Sequence, residues 1–338
     1  MQAPGRALVV LQIGFSILVT LFAFALTASA QTTIDDVHVA TRLTTPALTP
    51  GLTSMQPTKD NLLHVIKTDT RLVLVPVSVT DGMQRFVTGL TPDNFEIFED
   101  KKPQRIQNFS SEEVPVSIGI VLDTSGSMSN KVDRVRDAIN QFCEAANPQD
   151  EFFLITFSNT PRLVTGFTSA DDIERGILFT QTKGRTSLLD AIYLGLRKMK
   201  DAKYGKKALL IISDGGDNHS RYSEREVRSI AKESDVMIYS IGTFDRYVPT
   251  MEERLGPVLL SEIAEPTGGR AYIVDNPAQI PAVARHIGVE LRTQYVLAYR
   301  PQGPARNGKW RKIMVRLRLP KKLSFLQAHA RAGYYASE

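Results

Sequence analysis

The sequence predicts an α/β protein: a doubly wound, mostly parallel sheet flanked by helices, inserted into a β-sandwich built from the amino- and carboxyl-terminal flanks. Three observations carry this expectation. Short, continuous apolar runs at 116–122, 152–157, 208–212 and 236–241 have the character of strands covered on both faces. Between and after them lie segments with helical periodicity, near 131–146, 187–199, 223–232, 257–264 and 278–292, and this alternation is the grammar of a parallel sheet. On either side the pattern changes to short strands punctuated by turn residues, which is β grammar.

Taken in order, the 338-residue chain opens on Arg6, an almost unbroken apolar segment over 7–26, and Ala28-Ser29-Ala30. Residues 1–30 therefore read as a signal peptide cleaved before Gln31, with an uncleaved membrane anchor as the alternative, and either reading makes the remainder an exported protein of the periplasm, cell surface or extracellular space. Residues 31–68 are rich in Thr and Pro with weak periodicity, as expected of a flexible tether. The first β segment, 69–114, starts with a strand over 71–79, which Pro76 demotes to an edge or a bulge. Asp81-Gly82 signals a turn, 95–98 a short strand and 100–103 another turn.

The α/β segment spans 115–293, and within it 161–168 suits an antiparallel edge strand. The chain ends in 294–336, with strands expected over 294–299, 309–319 and 323–330. Neither flank holds enough strands to be comfortable alone, so 69–114 and 294–336 are expected to pair with each other.

Composition narrows the functional classes. Net charge is +5, and basic residues concentrate near the carboxyl end. There Ile313, Val315, Leu317 and Leu319 alternate with Lys312, Met314, Arg316 and Arg318, so the charges read as the wet face of a strand, and no nucleic-acid partner is expected. Cys143 is the single cysteine, which rules out an intramolecular disulfide and a cysteine-rich zinc site. It shares a helical stripe with Val132, Val135, Ile139, Phe142 and Ala146, the setting of a buried, inert thiol.

The chemistry concentrates in three loops. Asp123-Thr124-Ser125-Gly126-Ser127 follows the apolar run at 116–122 and presents hard oxygen ligands of the kind Mg²⁺ prefers. Gly184-Arg185-Thr186 opens a predicted helix, and Ser213-Asp214-Gly215-Gly216-Asp217-Asn218 follows the run at 208–212. Three loops at one sheet edge thus supply Asp123, Ser125, Ser127, Thr186 and Asp214. Two carboxylates balance a dication, and hydroxyls and water fill the neutral positions. Each piece alone also suits a turn or a helix cap, and Ser187 with Asp190 fits a capping box. Asp217 and Asn218 suit a solvated turn, with contact to the rim of the site as the alternative.

An apolar strand running into Asp-x-Ser-x-Ser, a later Thr heading a helix, and strand-Ser-Asp-Gly together resemble the von Willebrand factor type A domain over roughly 115–293. The resemblance implies a Rossmann-like sheet and a metal-ion-dependent adhesion site. In it Ser125 and Ser127 would bind the ion directly, while Thr186, Asp123 and Asp214 would act directly or through water. It further implies Mg²⁺, with Mn²⁺ or Ca²⁺ as alternatives, and a protein partner that donates a carboxylate to the ion. The stretches Leu90-Thr91-Pro92-Asp93-Asn94-Phe95, Phe98-Glu99-Asp100 and Gly333-Tyr334-Tyr335 are similar to those of exported bacterial proteins related to this domain.

Catalysis finds little support in the residues. Ser125 stands where an Asp-x-Asp phosphotransfer loop needs its second acid, and the chain has no Walker A sequence and no Gly-x-Ser-x-Gly elbow. Its five histidines are scattered. The expectation is an exported, non-enzymatic, metal-dependent protein-binding module. The alternatives are an envelope scaffold whose metal ties loops together and a metal-dependent hydrolase.

Overall fold

The computed structural model describes residues 72–178, 180–214, 216–244, 251–302, 308–320, 323 and 325–336. The expected signal segment and tether lie outside the described residues. The chain runs through β1 (Val73–Thr80), β2 (Phe95–Glu99), β3 (Lys102–Gln104) and β4 (Ile106–Ser110). It then alternates through β5 (Val116–Asp123), α1 (Val132–Glu144), β6 (Glu151–Phe157), β7 (Pro161–Thr168), α2 (Ala170–Ile177), α3 (Leu188–Lys198), β8 (Lys206–Ser213), α4 (Glu224–Glu233) and β9 (Val236–Thr243). After these come α5 (Met251–Ala264), β10 (Ala271–Val274), α6 (Ile280–Thr293), β11 (Tyr295–Tyr299), β12 (Trp310–Leu317), β13 (Gln327–Ala330) and β14 (Gly333–Tyr335).

The central six-stranded sheet has the order β10-β9-β8-β5-β6-β7. Every pairing in it is parallel except that of β7 with β6. All residues of β5 and of β9 are buried, which is why these strands read as continuous apolar runs rather than as alternating ones. Side chains of a strand still alternate between its two faces. Ile118, Ile120 and Leu122 pack with Ile139 and Phe142 of α1 and Ile287 and Leu291 of α6. Val121 joins Phe153, Leu209 and the apolar faces of α3, α4 and α5 on the other side. Gly119 points there too, and a Cβ on it would lie 2.2 Å from Phe153 Cζ. Cys143 sits in the α1 layer, and burial pushes its thiol up to about 12.

The flanking strands build two four-stranded sheets, β13-β1-β11-β4 and β14-β12-β2-β3, each drawing on both ends of the chain. Val75, Val77, Val79, Tyr295, Leu297 and Tyr299 of the first share a core with Phe95, Ile97 and Ile313 of the second. Glu99 bridges them, accepting from Tyr299 Oη at 2.7 Å, Tyr334 Oη at 2.9 Å and an Arg311 guanidinium nitrogen at 3.0 Å. The α/β block is fastened to this assembly by Glu290 of α6. Its fully buried carboxylate accepts from Ser78 of β1 at 2.7 Å, Arg270 at 3.0 Å and Tyr272 at 3.1 Å.

Several expectations change. Pro76 does not lie on an edge strand: β1 pairs with β11 across Pro76 and with β13 on its other side. The proline is accommodated because the β13 ladder covers only Val77–Thr80 and stops short of it. Pro257 does not open its helix but lies inside α5, which begins at Met251. A proline in the first turn is the commoner arrangement, and it misplaces the start. The short elements α2 and β10 in the α/β block and β3, β4 and β14 in the flanks are additional to those expected, and β3 begins inside the expected turn at 100–103.

Candidate metal centre

β5 and β8 are parallel neighbours in register, with Leu122 opposite Ile212, so both chains leave the sheet at the same carboxyl edge. This sets Asp123 beside Ser213, whose hydroxyl donates to Asp123 Oδ2 at 2.6 Å. The other oxygen of Asp123 accepts the backbone N–H of Ser125 at 2.8 Å, which turns the chain back over the strand end. Ser125 Oγ and Ser127 Oγ then lie 3.0 Å apart. Ser125 is buried while Ser127 is exposed, so the cluster is open to solvent on the Ser127 side.

The loop before α3 is tied to this turn through backbone bonds. Gly126 N–H donates to the Gly184 carbonyl at 3.1 Å, and Lys183 N–H donates to the Thr124 carbonyl at 2.8 Å. Gly184 has φ of 91°, a left-handed conformation that glycine adopts without strain. The loop after β8 is tied in turn to Thr186, whose N–H donates to Asn218 Oδ1 at 3.1 Å and whose carbonyl accepts from the N–H groups of Asn218 and His219. The five expected residues are thereby gathered at one sheet edge: Asp123, Ser125 and Ser127 in direct succession, Asp214 by charge coupling to Asp123, and Thr186 through its loop.

Electrostatically this is a strained pocket. Asp123 and Asp214 are both 2% exposed. Burial, and then the negative charge of Asp214, push the Asp123 carboxyl up to about 7 against the opposing hydrogen bonds from Ser213 and Ser125. Among the described residues Asp214 Oδ2 is buried without a hydrogen-bond partner. The charge facing it is Lys131 Nζ at 3.7 Å, which also donates to the Thr243 carbonyl at 3.4 Å. Two desolvated carboxylates, one with an orphaned oxygen, beside serine and threonine hydroxyls are a donor set that suits a hard dication. Among the described residues no cluster of three or more His, Cys, Asp or Glu side chains forms, so the hydroxyls are essential to any such site.

Neighbouring residues take roles different from those expected. Ser187 does not cap α3 through a box with Asp190; its hydroxyl donates to the Ser158 carbonyl at 2.8 Å. Asp190 instead accepts the N–H groups of Arg221 and Tyr222 at 2.8 and 3.0 Å. Asp217 is half-buried rather than solvated, and accepts from Ser220 Oγ at 2.6 Å and Leu189 N–H at 3.2 Å. Ser213, Asn218 and Lys131 complete the surroundings of the cluster. Ser213 could be found from its place at the end of an apolar run, next to Asp214, whereas nothing in the sequence around Lys131 points to Asp214.

Residues 118–216 match the von Willebrand factor type A domain family. Human inter-alpha-trypsin inhibitor heavy chain H4 is 24% identical over 144 residues, covering 38% of this chain. The chain spans about 15% of the length of that relative. Solved structures similar to it include a von Willebrand factor type A protein from Catenulispora acidiphila, 11% identical with a TM-score of 0.48, covering 79% of this chain and 73% of that one. The von Willebrand factor domain of the type V pili tip protein Mfa5 from Porphyromonas gingivalis is 14% identical with a TM-score of 0.42, covering 52% of this chain and 95% of that one. With the family match over residues 118–216, which falls within the helix-flanked central sheet, that part of the chain carries a von Willebrand factor type A domain.

Proposed function

We propose that the protein is an exported binding module that holds Mg²⁺ with Asp123, Ser125, Ser127, Thr186 and Asp214 and uses it to capture an acidic side chain of a protein partner. The observation that carries this reading is the buried Asp123–Asp214 pair, with Asp214 Oδ2 lacking a hydrogen bond among the described residues, next to the exposed Ser127. A dication relieves the repulsion within the pair, and when bound it supplies a Lewis-acidic position for an external carboxylate. Mn²⁺ or Ca²⁺ would satisfy the same oxygens. The apolar segment over 7–26, followed by Ala28-Ser29-Ala30, supports export.

A purely loop-tying ion is the less favoured reading, because the three loops are already joined by the Gly126–Gly184, Lys183–Thr124 and Asn218–Thr186 hydrogen bonds. The test is a pull-down from envelope or extracellular material. Binding is expected to disappear in chelator, to return with Mg²⁺, and to be absent in Asp123→Ala; a partner retained by Asp123→Ala in chelator would refute the proposal.

A further inference from the structure

Lys131 stands immediately before α1 and is only 9% exposed. Its position is costly for an ammonium group: burial removes its water, and the amino end of a helix carries partial positive charge. Its backbone is held in place, with the N–H donating to the Met128 carbonyl at 2.9 Å and the carbonyl accepting from Val135. The side chain reaches across to the end of β9, where it meets the Thr243 carbonyl, and faces Asp214 Oδ2, which is buried without a hydrogen-bond partner among the described residues.

We propose that Lys131 is a built-in counter-cation for Asp123 and Asp214, which stabilises the metal-free site and limits its affinity for Mg²⁺. The inference rests on the metal reading above. With the ammonium in place, an incoming dication overcompensates the carboxylate pair by one charge; without it, the dication neutralises the pair. Lys131, 3.7 Å from Asp214 Oδ2, and a metal held by the same carboxylates would therefore compete for one negative charge, and like charges in a buried setting repel strongly. The lysine makes loading of the site reversible, so that occupancy follows the Mg²⁺ concentration outside the cell membrane.

The deciding experiment is calorimetric titration of Mg²⁺ into the chelator-stripped full chain and into Lys131→Met and Lys131→Arg, paired with urea unfolding of each in chelator. Lys131→Met is expected to bind Mg²⁺ about ten-fold tighter or more, and to unfold at lower urea when metal-free. Lys131→Arg keeps the charge and is expected to stay within about three-fold of the parent affinity. If Lys131→Met does not fold, Lys131→Gln takes its place with the same expected tightening. Equal or weaker Mg²⁺ affinity in the neutral variant overturns the role of Lys131 and leaves the metal reading standing. Failure of all the proteins to bind Mg²⁺, Mn²⁺ or Ca²⁺ removes the metal reading and this inference with it.

Discussion

At the scale of single residues, Lys206, half-buried at the start of β8, shows what it costs to hold a charge at the border of a packed interior. Its Nζ donates to the Leu291 carbonyl at 2.5 Å. Burial, and then the Arg292 guanidinium, hold it down to about 8, against the pull of Asp150, Glu113 and Glu290. The folded chain therefore releases this proton before the unfolded chain does. Between about pH 8 and about pH 10.4 the unfolded state binds more protons, so this group's contribution to stability rises with pH, and below pH 8 its penalty is fully present. In urea melts across that window, Lys206→Met is expected to lose this rise, which is on the order of 3 kcal/mol at most. The same scale explains what sequence can say of the candidate site. Asp123, Ser125, Ser127, Thr186 and Asp214 stand out because each sits where a strand or helix pattern stops. Lys131 and Asn218 act on partners brought near only by folding, Asp214 and Thr186, and local pattern carries no trace of such pairs.

For whole elements, the strands of the central sheet are the most legible part, because burial on both faces leaves unbroken apolar runs such as those of β5 and β9. That burial also makes them intolerant of added volume. Gly119→Ala would set a Cβ 2.2 Å from Phe153 Cζ and 2.5 Å from Leu209 Cδ2. We expect it to destabilise the fold by roughly 1–3 kcal/mol, read as a lower urea midpoint with an unchanged slope. The elements that sequence does not announce are the small ones. α2 buries only Ile173 and Ile177, and β10 is four residues long with a single buried position, so neither shows a sustained period. β1 is misjudged for a different reason. The rule against proline in central strands concerns a ladder on each side, and here the second ladder ends one residue short of Pro76.

The molecule as a whole is organised by the return of the chain to strands it left before the α/β block. β11 lies between β1 and β4, and β12 beside β2. That the flanks need each other is readable from their small strand numbers. Which strand joins which of the two sheets is not, since their patterns are alike. A protease site engineered at residues 111–114, between β4 and β5, is expected to give two fragments that co-elute on size exclusion in native buffer and separate only in denaturant; separation in native buffer would show that the strand pairing does not hold the flanks together. The register of β1 on β11 has a mechanical consequence. Val73, where β1 begins, lies opposite Tyr299, whereas Tyr295, where β11 leaves the α/β block, lies opposite Val77. A pull between the start of β1 and the α/β block drags the two strands lengthwise in opposite directions. The ladder is then sheared as a unit rather than peeled bond by bond, the loading geometry in which a small sheet best withstands tension.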